Sequence, residues 1–206
     1  MAIAFDTSLD GTTNASFSYT CTGSNGLLIA WVRGGVGEAD NKSATYNSVA
    51  MTKLGYGVQP TDRSITVFYL LGPATGAHTL AFSGGTINRT GAASYTGVRQ
   101  SAQPEAGPTN TTASSGSSFT ESVTVATSNS WLIGMMSCVN GTASAGANTT
   151  ARVNSNSTCS VDTNGAQATG SRSMTLNSTL SDSYLGIIAS FAPVTATTNS
   201  NMLMLM

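Results

Sequence analysis

Side chains that could do acid–base chemistry are few in this chain. Its 206 residues include one histidine, His78, with six Asp and three Glu. General acid–base or nucleophilic catalysis needs several such groups to converge on a Ser or Cys nucleophile. No acidic residue lies near His78 in the sequence, and no Gly-x-Ser-x-Gly elbow occurs. We therefore interpret His78 as a turn-proximal surface or hydrogen-bonding residue, and we predict that the protein is not an enzyme.

Two acidic loops have oxygen ligands of the kind that calcium prefers. Asp6-Thr7-Ser8-Leu9-Asp10-Gly11 begins like an EF-hand loop, but its twelfth position is Phe17 where such loops need a Glu. We interpret it as an Asp-Gly turn between two strands. The second loop is Gly34-Gly35-Val36-Gly37-Glu38-Ala39-Asp40-Asn41, and its two carboxylates alone are weak evidence for a calcium site. Its Gly-x-Gly pattern is not followed by a helix, so the sequence does not support a phosphate-binding loop. We predict no metal and no cofactor.

The three cysteines, Cys21, Cys138 and Cys159, have no CxxC spacing and do not describe a zinc site. An odd, sparse set is also unlike the dense, even count of a disulfide framework. Unpaired cysteine behaves as a small apolar side chain and is often buried. We therefore predict three free thiols, mostly in the core.

A carbohydrate-binding face would need exposed aromatic side chains beside polar groups. Trp31 and Trp131 lie inside apolar runs, which places them in the core. The remaining candidates are four tyrosines that we expect to be partly exposed: Tyr19, Tyr46, Tyr56 and Tyr95. Tyr56, between Gly55 and Gly57, is the best of them. Glycan binding therefore stays open as an alternative function.

The composition excludes several classes of protein. Thr, Ser, Asn and Gly make up 97 of the 206 residues, whereas charged residues make up only 8%. Eight Lys and Arg residues give no basic surface for phosphate contacts, so nucleic-acid binding is not expected. Residues that favour helices, such as Lys and Glu, are scarce, and 40% hydrophobic content argues against disorder. No apolar run reaches the length of a membrane span.

The apolar residues form strand-length runs that are separated by turn residues. Some runs alternate with a period of two, as in Ser16–Thr20 and Phe119–Val125, and these predict half-buried outer strands. Others are apolar throughout, which predicts central strands covered on both faces: Leu27–Val32, Trp131–Met136 and Tyr184–Ala189. The sequence therefore predicts an all-β, two-sheet antiparallel sandwich with few helices, over residues 1–194 as one domain, and a long loop near residues 101–118.

Three segments resemble a known family: Ala44–Thr52, Phe68–Leu80 and Ala93–Val98. Together with the order of the apolar strands, they are similar to the jelly-roll (concanavalin-like) β-sandwich modules of bacteriophage virion proteins and bacterial surface proteins. The resemblance covers residues 3–194. It implies a jelly-roll fold and a decoration, fibre or adhesive role, and it carries over no functional residue. The N-terminal residues do not resemble a signal peptide, which favours the phage setting, with the protein made in the host cytoplasm.

The surface and the tail point to assembly. A coat of Thr, Ser and Asn repels neighbouring proteins weakly, so it suits a subunit packed among other copies. Residues 195–206 form a polar spacer followed by an apolar segment, whose members are Met202, Leu203, Met204, Leu205 and Met206. This segment could be a last strand on its own core or an anchor into a neighbouring subunit. We expect a structural virion protein, a capsid decoration or tail/fibre subunit, with copies of itself and other virion proteins as partners. We expect neither a nucleic-acid nor a membrane partner, and the alternative is a carbohydrate-binding or adhesion module.

Overall fold

The structure is a computed structural model that describes residues 1–59, 63–113, 115–155 and 157–195. These residues form strands, turns and loops, and none of them lies in a helix. There is accordingly no helix among them that is long and apolar enough to cross a membrane. The strands are β1 (Ala4–Thr12), β2 (Ser16–Cys21), β3 (Leu27–Arg33), β4 (Ser43–Tyr46), β5 (Val49–Ala50), β6 (Thr52–Gln59), β7 (Arg63–Leu71), β8 (Gly76–Ser83), β9 (Arg89–Thr96), β10 (Thr111–Ala113), β11 (Ser118–Val125), β12 (Trp131–Cys138), β13 (Ala143–Ala145), β14 (Thr150–Ser155), β15 (Thr158–Asp162), β16 (Gly170–Ser178) and β17 (Tyr184–Phe191).

The strands pair in four antiparallel sheets. Inner sheet I has the order β1-β9-β3-β7-β6, and outer sheet I has the order β2-β8-β4-β5. Inner sheet II has the order β10-β17-β12-β15-β14, and outer sheet II has the order β11-β16-β13. The all-β antiparallel sandwich that the sequence predicts is confirmed. It has four sheets where two were expected.

Three apolar cores hold the four sheets in layers. One core lies between outer and inner sheet I, and includes Leu28 and Phe68. A second lies between the two inner sheets, and includes Trp31 and Ile133. The third lies between inner and outer sheet II, and includes Leu132. Since side chains alternate across a strand, β3 and β12 contribute to two cores each and must be apolar on both faces. This confirms the prediction that their sequences mark central strands.

The two halves of the chain have the same strand order. The first half contains β1–β9, and the second half contains β10–β17. When β5 and β6 are counted as one position, each half has eight strand positions. Both inner sheets then have the order first, eighth, third, sixth, fifth. Both outer sheets begin second, seventh, fourth. The inner sheets also meet in a reciprocal way, because β1 packs beside β14 and the equivalent strand β10 packs beside β6. The molecule is therefore two similar sandwiches related by an approximate twofold. That residues 1–194 are one domain stays a prediction.

Candidate functional site

The charged residues singled out in the sequence bind partners within the chain. Asp6 accepts hydrogen bonds from the Thr22 N–H (2.8 Å), the Thr22 hydroxyl and the Ser94 hydroxyl (2.8 Å). Asp10 accepts bonds from Ser155 Oγ (2.6 Å) and from the Thr12 N–H (3.0 Å). The interpretation of Asp6–Gly11 as a turn between two strands is wrong, because the whole segment lies in β1 and Asp10 pairs with Gly91 of β9. The turn into β2 comes only after Thr12.

The loop from Gly34 to Asn41 is held by internal ion pairs. Glu38 binds the Lys42 ammonium group and accepts a 2.7 Å bond from the Thr86 N–H. Burial opposes ionisation of Glu38, but the bonds from Lys42 and Thr86 outweigh it and lower the pKa to about 2. Asp40 pairs with Lys53. Over the residues that the structure describes, no three His, Cys, Asp or Glu side chains cluster as a metal site would require.

The histidine and the cysteines have structural surroundings. His78 Nε2 lies 3.0 Å from the carbonyl oxygen of Thr75, and its ring meets that of Tyr46 edge-on at 5.7 Å. Cys21, Cys138 and Cys159 are free and buried, as the sequence predicts. Burial raises the pKa of the Cys159 thiol to about 12, so the nucleophilic thiolate is disfavoured.

The aromatic residues do not form an exposed platform. Trp31 and Trp131 are in the core, as predicted. The expectation that Tyr19, Tyr46 and Tyr95 are partly exposed is wrong, because their rings point between the sheets and are at most 2% exposed. The sequence did not reveal this, since burial of these hydroxyls depends on distant partners. Tyr95, for example, donates to Asp162 at 2.9 Å, 67 residues away.

Tyr56 is half-buried, and its hydroxyl donates to the carbonyl oxygen of Glu38. Its ring therefore stands beside the Gly34–Asn41 loop and is partly covered. A lone, partly covered ring gives a sugar little area for stacking.

A polar cluster joins the two inner sheets and escaped the sequence analysis. Asp162 is fully buried and is bound by Arg152 at 2.5 and 3.1 Å, as well as by Tyr95. The Arg152 guanidinium also lies 4.1 Å from the centre of the Phe5 ring. Burial and the Asp162 charge raise the pKa of Tyr95 well above its usual value, so the phenol stays protonated and donates. A buried charge needs such pairing, and the cluster fixes how the two sandwiches meet.

One cavity opens at the end of the molecule where β1 begins and β17 has ended. Its volume is about 660 Å³, and it is lined by residues 1–3, 127–129, 165–166 and 193–195 together with Trp131. No lining residue has a charged side chain, and the lining is mostly apolar. The predicted contact residues Met202, Leu203, Met204, Leu205 and Met206 lie outside the described residues. The described chain reaches Thr195, which is on the cavity wall.

The outer face of outer sheet II is made almost entirely of hydroxyl side chains. Register and alternation place nine residues on it: Ser118, Thr120, Ser122, Thr124, Ser144, Ser171, Ser173, Thr175 and Asn177. The Thr120 and Thr175 hydroxyls lie 2.9 Å apart across the β11–β16 pair. The same strands bury Phe119, Val123 and Met174 on their inner face.

The outer face of outer sheet I is also uncharged, with seven hydroxyl side chains and three alanines. It consists of Ser16, Ser18, Thr20, Ser43, Thr45, Ala50, Ala77, Thr79, Ala81 and Ser83. The Ser43 and Ser83 hydroxyls lie 2.8 Å apart. None of the residues on either outer face is charged. Because the outer sheets are the first and last layers, the two faces lie on opposite sides of the molecule.

Comparison of the chain with models of protein families, with curated proteins and with solved structures finds no match in any of the three.

Proposed function

We propose that this chain is a non-enzymatic structural protein of a phage virion, a capsid decoration or cement subunit or else a tail or fibre component. It acts through protein–protein contacts with other virion proteins and with copies of itself. The observation that carries the proposal is the pair of uncharged outer faces on opposite sides of the molecule.

The strand order supports a jelly-roll interpretation of each half. A jelly roll has eight strands in two facing sheets and occurs in viral capsid proteins and lectins. Its order of first, eighth, third and sixth strands, facing second, seventh, fourth and fifth, agrees with the order in residues 4–96. The fifth position begins as β5 in outer sheet I and continues as β6 in inner sheet I.

The outer faces suit contact with another protein because little is lost when they leave water. An ionised side chain costs several kcal/mol to desolvate without a partner, whereas a hydroxyl can exchange a bond to water for a bond to a neighbour. Most soluble surfaces carry interspersed charges that keep molecules apart. The outer faces carry no charged side chain, and a subunit with an uncharged face on each of two opposite sides can contact two neighbours.

The size of a single face favours an array of contacts. β11 and β16 are each about 26–30 Å long, the three-residue β13 is about 10 Å long, and each strand is about 4.8 Å wide, so outer face II covers roughly 300 Å². A stable pairwise interface buries about 800 Å² on each partner. One face alone would thus bind weakly, and stable attachment requires several contacts at once, as on a particle surface.

The ionisable groups support a structural role because they serve the fold itself. Each carboxylate in the described residues has a hydrogen bond within the chain. Asp182, for example, accepts bonds from the N–H groups of Asn140 (2.7 Å) and Gly141 (2.6 Å). Glycan binding has weaker support, because three of its four tyrosine candidates are buried.

A charge placed on an outer face tests the proposal. The double variant Thr120→Lys/Thr175→Lys puts two positive charges at the middle of outer face II, and Ala39→Lys puts one on an exposed loop as the control. Thermal unfolding of both verifies that they fold. On particles assembled without the subunit, we expect at least a tenfold loss of bound copies for the double variant and no loss for the control. Equal binding of the two would contradict a role for this face.

A further inference from the structure

We propose that the end cavity receives the apolar segment Met202–Met206 of a second copy of the chain. This deepens the proposed function, on which it rests, by naming the contact through which copies join. The lining of the cavity suits an apolar occupant. It is mostly apolar and has no charged side chain, so it fits an apolar segment better than a charged metabolite. Unbranched Met and flexible Leu side chains fill irregular apolar space well.

The size of the cavity matches the segment. At about 660 Å³ the cavity falls among those that enclose a drug-sized molecule, which corresponds to a few aliphatic side chains. Five consecutive apolar residues, of which alternate side chains point to one side in an extended chain, supply a matching group. Trp131, which is 6% exposed, forms part of the wall.

The cavity also lies close to the point where the segment branches off. Thr195 lines the cavity, and Met202 follows seven residues later. A fully extended segment of that length spans at most about 25 Å, so the cavity of an adjacent copy is within its reach when the two cavity ends face each other. When two copies face each other across a twofold axis at the cavity end, each can insert its apolar segment into the other's cavity. Both cavities of the pair are then filled, so the assembly stops at two chains.

The inserted apolar segments thus join two copies through a symmetric contact, in which both copies use the same residues. This contact is separate from the outer faces. The outer faces lie on the first and last layers, whereas the cavity lies between the inner sheets' ends, where Ile3 precedes β1 and Trp131 begins β12. A subunit can therefore use the cavity to pair and still have both outer faces open to other neighbours.

Complementation tests the exchange. One variant lacks residues 202–206 and keeps its cavity, and the other, Ala166→Trp, blocks the cavity and keeps its segment. Ala166 is exposed on a loop, so the substitution leaves the core intact. Light scattering should give wild type twice the 20.9 kDa of one chain. Each variant alone should give the mass of one chain, and an equal mixture should recover the mass of two.

Two controls sharpen the result. Ala39→Trp adds the same ring on a distant exposed loop and should retain the mass of two chains. A synthetic peptide of residues 201–206 should shift the Trp131 fluorescence of the deletion variant and leave that of Ala166→Trp unchanged. Wild type at the mass of one chain across the concentration range would overturn the proposal. The mixed pair is held by one insertion in place of two, so a mixture that stays at the mass of one chain even at the highest concentration would also overturn it. A single-chain mass with normal particle binding would overturn only this inference. Loss of particle binding by a subunit that still pairs would overturn the proposed function instead.

Discussion

The indole Nε1 of Trp31 donates a 2.7 Å hydrogen bond to the hydroxyl of Ser160, 129 residues later in the chain. Trp31 is fully buried and Ser160 is 1% exposed. The bond runs from inner sheet I to inner sheet II, so it satisfies a polar group in the middle of the apolar layer that joins the two sandwiches.

Removing the Ser160 hydroxyl should destabilise the protein. Ser160→Ala leaves the buried Nε1–H of Trp31 without an acceptor, which costs about 1–3 kcal/mol. Denaturant unfolding measures the loss, with the exposed Ser144→Ala on outer face II as the matched control, for which we expect less than about 0.5 kcal/mol. Similar losses for the two variants would show that this bond does not hold the sandwiches together.

Breaking the Arg152–Asp162 pair should cost more. In Arg152→Gln, the fully buried Asp162 carboxylate loses its cation, and an unpaired buried charge of this kind costs about 3–5 kcal/mol. Arg172→Gln is the control, because Arg172 donates to the carbonyl oxygens of Ala168 and Thr169 at an exposed site. Restoration of stability by the triple variant Arg152→Met/Asp162→Leu/Tyr95→Phe, which also removes the phenol that donates to Asp162, would support the assignment. A small loss in Arg152→Gln would contradict it.

Acid should weaken the fold through carboxylates whose pKa is lowered. In Glu38, bonds from Lys42 and Thr86 overcome the opposing effect of burial and lower the pKa from 4.5 to about 2. Because the folded-state pKa lies below the unfolded one, this stabilisation is present above pH 4.5 and is lost as pH falls toward 2. Asp10 and Asp182 act in the same direction. Melting temperature against pH should fall over this window, and less steeply in Glu38→Gln. An unchanged slope in that variant would refute the role of Glu38.

Gly91 makes room for the Trp31 ring. The two residues are paired across β9 and β3, and a Cβ at position 91 would lie 2.6 Å from Cζ2 of the indole. Gly91→Ala should therefore destabilise by about 1–3 kcal/mol through overpacking. Gly165→Ala, where the nearest atom would be 3.9 Å away, should be close to neutral in the same unfolding measurement. If both are neutral, the ring can shift freely and the packing argument is wrong.

The sequence predicted the strands whose burial follows from their own pattern of apolar and polar residues. The run Leu27–Val32 is apolar on both faces because β3 contributes to two cores, and the alternation in Phe119–Val125 matches an outer strand. Local pattern was sufficient in these cases.

The strands that the sequence analysis missed depend on distant partners. β15, with Cys159, Ser160 and Asp162, mixes polar and apolar residues, and it is fully buried because Trp31, Arg152 and Tyr95 satisfy its polar groups. β1 contains Asp10-Gly11, which favours a turn, yet most of it pairs with β9. The repeated strand order was not visible either, since strand order depends on pairings between residues far apart in the chain.

The most direct test of the proposed structural role is the position and number of copies in purified particles. Quantitative mass spectrometry of the particles, with electron cryomicroscopy to locate the two-sandwich density, measures both. The proposal predicts many copies per particle, seated so that at least one uncharged outer face is covered by another virion protein or another copy. Absence of the chain from particles, or a lone subunit in solution that turns over a small molecule, would contradict it.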